Sequence, residues 1–224
     1  MEMLTKFSDY PTIIDDPRLR DCVDTLLTMQ NSNGGFSSYE KIRGSEYLEL
    51  LNPAEVFDKI MVEYSYVECT SAVLTSLLLF QRHFPSYRTA EIRKTVKSGL
   101  NFIHREQRSD GSWYGSWAIC FNYAAFLTLQ ALEAMGEQWG NSDSVKRACE
   151  LILSKQMEDG GWGEHHSSCS TGEYVCSDES QVVNTAWAVL ALMYAGYPDP
   201  VPIQKGLRVR YEFQSIGMRL LTSR

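Results

Sequence analysis

A short phrase that ends a helix occurs three times in this chain: a glutamine, a glycine four residues later, and an aromatic residue two positions beyond the glycine. Glycine just after a helix accepts the left-handed backbone that stops the helix. The aromatic ring anchors the turn, and the Gln amide can pair with free backbone groups at neighbouring helix ends. Three copies of one helix-ending element predict a repeat architecture. The residues are Gln30, Gly34 and Phe36, then Gln107, Gly111 and Trp113, then Gln156, Gly160 and Trp162.

Two kinds of helical segment alternate around these turns. Segments of the first kind are amphipathic and charged, and we predict them at about 16–30, 89–106 and 142–156. Asn141 or Ser142 could cap the last of these. Segments of the second kind contain no charged residue, at 69–81, 112–132 and 181–197, and they predict helices near 65–82, 115–135 and 180–197.

This alternation predicts how the helices are layered. A helix that is apolar all round must be buried on all sides, whereas an amphipathic helix can face solvent. The sequence therefore predicts an all-α fold, a partial α/α toroid in which outer helices cover inner ones, with an irregular helical bundle as the alternative. Two long connectors, at 34–58 and 161–179, show no helical pattern, and connectors of that length are usually functional or disordered.

Composition excludes several classes of function. The 224 residues suffice for one sizeable core, and the net charge of -7 argues against a nucleic-acid partner. The first residues show no secretory signal, and no apolar run is long enough to span a membrane. Six cysteines without framework spacing indicate reduced thiols. A cluster of metal-ligating residue types lacks zinc-finger spacing, so we expect no metal and no cofactor. The cluster is His165, His166, Cys169 and Cys176.

The repeats and three further segments resemble the 2,3-oxidosqualene cyclases. The segments are LELLNP at 48–53, YVECT at 66–70 and GSWYGSW at 111–117. The resemblance runs from about residue 10 to about residue 207. Tyr39 favours the lanosterol-forming branch of the family, since plant relatives usually have Trp at that place.

The resemblance implies an isomerase of sterol and triterpenoid biosynthesis. In this family a buried carboxylic acid protonates the epoxide of 2,3-oxidosqualene, an apolar C30 polyene, which then cyclises through carbocations. Such cations need π-faces around them and need water excluded. An aromatic content of 12% and long uncharged helices suit a dry, π-lined cavity.

The resemblance also implies roles for individual residues. Cys69 corresponds to the thiol that hydrogen-bonds the catalytic aspartate and keeps it a strong acid. Tyr39 corresponds to an active-site tyrosine that acts near the final deprotonation. Phe57 and Trp117 correspond to aromatic residues that line the cavity and bind substrate. The aromatic residues inside the repeats are assigned to the scaffold.

Other parts of the family pattern are not found in this sequence. The family's acid lies in an Asp-Cys-Thr-Ala-Glu motif, which neither Glu68-Cys69-Thr70 nor Asp21-Cys22 reproduces. We therefore expect a cyclase fragment, with a partial α/α-barrel domain at 1–207 and a divergent tail at 208–224. The family is monotopic on the endoplasmic reticulum membrane or lipid droplets, and we expect membrane association to come from other parts of the enzyme.

Three further interpretations compete with a working cyclase. The first is a catalytically inactive truncated product, or an interaction fragment, that lacks the acid. A zinc-dependent prenyltransferase β-subunit has the same toroid and would need an Asp/Cys/His triad. An α/α-toroid glycosidase would need paired carboxylates in its cleft, and the uncharged inner stretches weigh against it.

Overall fold

Helices build the part of the chain that the computed structural model describes, residues 16–54 and 60–209. Within those ranges the only extended pairing is two isolated bridges, Phe36 with Tyr66 and Glu164 with Cys176. Phe57 and most of the 208–224 tail lie outside the described residues. The helices are α1 (Asp16–Met29), a 3₁₀ helix (Glu46–Leu51), α2 (Val67–His83), α3 (Thr89–Glu106), α4 (Cys120–Ala134), α5 (Asp143–Ser154), α6 (Ser167–Thr171), α7 (Val182–Tyr194) and α8 (200–209).

The helices form two layers. Helix α4 packs between α2 and α7, and these three contain the uncharged stretches that the sequence predicts to lie inside. The amphipathic helices α3 and α5 pack on the outside of this row, with α1 against α3. The prediction of an all-α, partial α/α toroid is therefore confirmed.

The outer helices follow their sequence patterns closely. In α5 the apolar side chains of Val145, Ala148 and Ile152 are buried on one face. Ser142 caps its start, because the Ser142 Oγ accepts from the backbone N–H of Val145 at 3.5 Å. The core lies between the layers, where the α5 face meets the buried Leu129 of α4.

The inner layer is only partly covered, as expected for a partial toroid, and the expectation that the connectors contain no helix is wrong. Helix α7 is not buried on all sides: Val183 is 54% exposed and Met193 57% exposed. Helix α7 packs on α4, and Gly206 of α8 lies directly on its Val189, but part of its apolar surface is uncovered. The connectors also contain helix, since the 3₁₀ helix lies in the first and α6 in the second. Such short helices give too few turns for a periodic pattern.

The three repeat turns share one hydrogen-bond pattern. In each turn the Gln Nε2 donates to the carbonyl of its own repeat glycine and to a carbonyl of the next outer helix. The amide thus ties the end of one outer helix to the following one. The N···O distances are 2.9 and 2.9 Å from Gln30 to Gly34 and Thr95, 3.0 and 2.9 Å from Gln107 to Gly111 and Ser144, and 2.8 and 2.9 Å from Gln156 to Gly160 and Pro202.

The repeat glycines occupy positions that no other residue would fill without strain. Gly34, Gly111 and Gly160 have φ of 91°, 90° and 92°, in the left-handed region. A Cβ on Gly111 would lie 2.5 Å from the carbonyl oxygen of Arg147 on α5. The missing side chain therefore permits both the turn and the close approach of the next outer helix.

A further repeated residue was missed at the sequence level. One position before each repeat glycine, Asn33, Asp110 or Asp159 accepts from the backbone N–H two residues later, at 2.9 to 3.0 Å. This is an Asx-turn, which fixes the turn before the aromatic residue. The same position in all three copies holds Asn or Asp, so the signal was present in the sequence.

Candidate active site

A cavity of about 380 Å³ opens where the first connector meets the start of α2. Aromatic side chains of Tyr39, Tyr66 and Trp117 form one wall, and Ile60 and Met61 add apolar surface. The cavity is not the uniformly dry, apolar pocket that the composition suggested. Four charged residues also line it: Glu40, Lys41, Arg43 and Glu63.

The aromatic wall is a chain of edge-to-face ring contacts. The ring centroids of Tyr39 and Trp117 lie 6.4 Å apart, and those of Trp117 and Tyr66 lie 5.7 Å apart. Tyr39 is 75% exposed and Trp117 40% exposed, whereas Tyr66 is buried. In an edge-to-face pair the edge of one ring covers only one face of the other, and a ring face that stays uncovered attracts cations. The structure thus brings two of the four predicted site residues together and adds Tyr66, which the sequence reasoning missed.

Cys69 lies on the first turn of α2, and its Sγ is 3.6 Å from the Ser38 Oγ. Burial raises the pKa of the Cys69 thiol to about 11, and the nearby Glu68 and Glu63 add to the rise, against a lowering by the Ser38 hydrogen bond. The thiol is therefore protonated at neutral pH. A protonated thiol can donate a hydrogen bond to a carboxylate, as the role implied by the resemblance requires.

Three successive side chains at the start of α2 contact three different segments. The Thr70 Oγ1 accepts from the backbone N–H of Phe36 at 2.8 Å, which joins α2 to the first repeat turn. The Cys69 thiol faces Ser38 in the connector. The Glu68 Oε1 accepts from the backbone N–H groups of Ser116 and Trp117. The first turn of α2 thereby positions the cavity wall relative to the scaffold.

Two buried carboxylates hold backbone N–H groups near the start of α4. Glu68 binds the segment before α4, and Glu164 binds the N-terminus of α4 itself, at Cys120, Phe121 and Asn122. Burial raises the pKa of both carboxyls, partly offset by these hydrogen bonds. The sequence reasoning weighed Glu68 only as an acid motif and did not single out Glu164. Their contacts join residues more than 40 positions apart, which no local pattern reports.

A second aromatic contact lies in the inner layer. The rings of Tyr123 on α4 and Trp187 on α7 have centroids 5.3 Å apart. Burial raises the pKa of Tyr123 to about 12, with smaller contributions from Glu68 and Cys69. The phenol therefore stays neutral near the first turn of α2. Neither residue was singled out from the sequence.

The histidine and cysteine cluster of the second connector does not converge on one point. His165 and His166 stack on each other at 4.0 Å between ring centroids, and the His165 Nδ1 pairs with the Ser167 Oγ. Cys169 is buried instead against Cys120, with 3.1 Å between the sulfur atoms. Within 16–54 and 60–209, no group of three or more His, Cys, Asp or Glu side chains could hold a metal ion. None of the helices described is long and apolar enough to cross a membrane.

The fold is that of the terpene cyclases. The type II terpene cyclase MstE from Scytonema, solved with geranylgeranyl dihydroxybenzoate, matches 88% of this chain and 49% of its own, at a TM-score of 0.58 and 18% identity. An ent-copalyl diphosphate synthase from Streptomyces platensis matches 73% of this chain and 30% of its own, at a TM-score of 0.55 and 19% identity.

Sequence comparison identifies the family. Residues 11–217 match the squalene-hopene cyclase C-terminal domain, and the chain belongs to that family. It is 52% identical to the lanosterol synthase erg7A of Aspergillus fumigatus over 206 residues, which are 92% of this chain and 27% of that protein. It is 48% identical over 200 residues to the lanosterol synthase of Homo sapiens, covering 88% and 27%, and 46% over 205 residues to that of Saccharomyces cerevisiae, covering 90% and 28%. The chain thus spans little more than a quarter of the length of these relatives.

Proposed function

We propose that this chain is the part of a lanosterol-type oxidosqualene cyclase that supplies one wall of the substrate cavity. The observation that carries the proposal is the row of rings from Tyr39 through Trp117 to Tyr66, next to the protonated thiol of Cys69. The ring faces stabilise successive carbocations, and the thiol hydrogen-bonds the carboxyl that starts the reaction. The family match and the lanosterol synthase relatives support 2,3-oxidosqualene as substrate.

Each proposed residue has a separate part in the reaction. The Cys69 thiol stabilises the ionised form of an acid that the wider enzyme provides, which strengthens that acid. Trp117 and Phe57 offer π-faces to the growing cation, and the phenol of Tyr39 lies near the site of final deprotonation. Residues 1–207 form the cyclase domain in this proposal, and 208–224 diverge from it. The reaction needs no metal or other cofactor.

A chimera tests the proposal. The chain replaces the matched segment of the Saccharomyces cerevisiae lanosterol synthase, and the chimera is expressed in yeast that lacks its own enzyme. Lanosterol measured by mass spectrometry is the expected result, and its absence from a folded chimera contradicts the proposal.

Substitutions in the same chimera test the single residues. Cys69→Ala should slow epoxide opening at least about ten-fold, which corresponds to roughly 1.4 kcal/mol in the barrier. Trp117→Ala or Phe57→Ala should instead release partly cyclised or rearranged products.

Location is a further part of the proposal. By the resemblance, the complete enzyme is monotopic on the endoplasmic reticulum membrane or on lipid droplets, and its membrane-attaching surface lies in other parts of the protein. Fractionation of the tagged chimera on a density gradient tests this. Recovery in the soluble fraction, with the native yeast enzyme in the membrane fraction as control, would contradict it.

A further inference from the structure

Glu68 fixes the backbone from which the Trp117 ring projects. The Glu68 Oε1 accepts from the N–H of Ser116 at 2.6 Å and from the N–H of Trp117 at 3.1 Å. The Glu68 side chain is 2% exposed, so water does not compete for these bonds. Hydrogen bonds in such surroundings are electrostatically stronger than in water. The acceptor therefore sets where this segment lies relative to α2.

A second contact holds the same segment from the other side. The Gly115 N–H donates to the carbonyl of Cys120 at 3.2 Å. A Cβ on Gly115 would lie 2.9 Å from that carbonyl oxygen and 3.3 Å from the Cβ of Ala124, so the backbone lies directly on α4. With Gly115 held on α4 and Ser116 held on α2, the chain at Trp117 has little freedom to shift.

The start of α2 also contacts the Trp117 ring itself. Tyr66 precedes Glu68 by two residues, and its ring centroid is 5.7 Å from that of Trp117. One turn of one helix therefore sets both the Trp117 backbone, through Glu68, and the tilt of the Trp117 ring, through Tyr66. A cation over a ring face is stabilised only within about 6 Å of the centroid. The Glu68 contact thus sets the position of the ring face that a cation in the cavity would meet.

We infer that Glu68 is a positioning residue that selects the cyclisation product by holding Trp117 in the cavity wall. This role rests on the proposed function, in which carbocations pass the aromatic wall. The Glu68 Oε1 makes both bonds to the loop, while its Oε2 has no hydrogen-bond partner among the described residues. Glutamine can place a carbonyl oxygen at the same point, whereas aspartate is shorter by one carbon–carbon bond, about 1.5 Å.

Glu164 provides a matched control. It is also a fully buried carboxylate that accepts backbone N–H bonds, from Cys120, Phe121 and Asn122 at 3.1, 3.0 and 3.1 Å. Its contacts hold the N-terminus of α4, where the Cys120 carbonyl also accepts from Gly115, and none of them is made to Trp117 or to a ring of the wall. A variant of Glu164 therefore loses the same kind of interaction while both hydrogen bonds from Glu68 to Ser116 and Trp117 stay in place.

The experiment compares products in the chimera described above, per amount of folded enzyme. Glu68→Asp should divert at least a tenth of the product into by-products, and these should be the ones that Trp117→Ala releases. Glu68→Gln should restore most of the parental product spectrum. Glu68→Asp should add nothing to the by-products of Trp117→Ala in the double variant, because both changes act through one ring. Glu164→Asp should lower the melting temperature and leave the product spectrum unchanged.

Two outcomes overturn the role of Glu68, and they differ from a failure of the proposed function. Parental products from a destabilised Glu68→Asp chimera would show that Glu68 only supports the fold. The same by-products from Glu164→Asp would show that general loosening changes the product. A folded, unsubstituted chimera that forms no sterol contradicts the proposed function, and the role of Glu68 with it.

Discussion

The repeat turns and the cavity wall use the same residue types in opposite ways. In the repeat turns, Trp113 and Trp162 are fully buried, and each indole Nε1 donates to a backbone carbonyl, of Ile103 at 2.8 Å and of Ile152 at 2.7 Å. In the cavity wall Trp117 is partly exposed and makes edge-to-face contacts with Tyr39 and Tyr66. Aromatic residues whose polar atom is paired stabilise the fold, and those with open faces are available for a ligand.

Substituting the two kinds of tryptophan should give the largest difference in the free energy of unfolding. Trp113→Ala should lower the free energy of unfolding by about 3–5 kcal/mol, since it leaves a large cavity in the core. Trp117→Ala should cost less than about 1.5 kcal/mol, because much of the ring is already in solvent. Urea unfolding of the two variants beside the parent measures both values. Equal losses of unfolding free energy in the two variants would mean that Trp117 is packed as tightly as a core residue.

The repeat glycines should give the next largest effect, and Gly136 is their control. Gly111 and Gly136 have φ of 90° and 84°, but only Gly111 has a neighbour where a Cβ would stand, the Arg147 carbonyl oxygen at 2.5 Å. Gly136→Ala should cost the backbone strain alone, about 1–2 kcal/mol. Gly111→Ala should cost at least about 1 kcal/mol more.

Thermal unfolding of both glycine variants separates the two contributions. Similar melting temperatures would show that α5 shifts away from the turn without loss. That result would contradict the difference drawn between the Gly136 turn, which only ends its own helix, and the Gly111 turn, which also packs against the next outer helix.

The Gln side chains should give a smaller effect than the glycines. Gln107→Ala removes two hydrogen bonds that the Nε2 donates, to the carbonyls of Gly111 and Ser144, and two that the Oε1 accepts, from the Ser144 hydroxyl and the Arg147 guanidinium, and should cost about 1–3 kcal/mol. Gln107→Glu keeps the accepting oxygen but places a second acceptor against the two carbonyls, so it should still be destabilising. Chemical unfolding of both variants tests this, and a stable Gln107→Glu variant would contradict the pairing.

The layering was predictable because it depends on local composition. The charged segment predicted at about 89–106 is α3, with the same ends, and the uncharged segments are the inner helices. The start of α4 was placed at about 115, five residues early. Gly115 lies against α4, and the N-terminus of α4 at Cys120 is held by Glu164 from 44 residues away. Contacts between residues so far apart along the chain produce no periodic pattern in the sequence.

The candidate site was predictable only in part, and for a different reason. Tyr39, Cys69 and Trp117 came from resemblance rather than from pattern, and the structure places Tyr39 and Trp117 in one wall. Tyr66 and Glu68 belong to the YVECT segment at 66–70, but their importance depends on what they contact. Glu68 acts on a loop 48 residues later in the chain. The distance between motifs along the sequence does not reveal such a pairing.

The smallest expected effect on stability is that of substituting Cys69 at neutral pH, and it tests whether this thiol behaves as a buried group. The folded pKa of about 11 lies above the value of 9.0 for an unperturbed thiol, so the protonated form is favoured by folding. The stabilisation is complete below pH 9 and is lost as the pH rises through 11. Between pH 6 and 8, Cys69→Ser should therefore leave the pH dependence of stability unchanged, while above pH 9 the parent should lose stability more steeply than the variant.

Alkylation gives a second measurement, since thiolates react and thiols do not. Iodoacetamide at pH 8 should modify the exposed Cys22 and Cys176 before Cys69. Rapid alkylation of Cys69 at pH 8, located by peptide mass spectrometry, would show a thiolate there and would contradict its role as a hydrogen-bond donor.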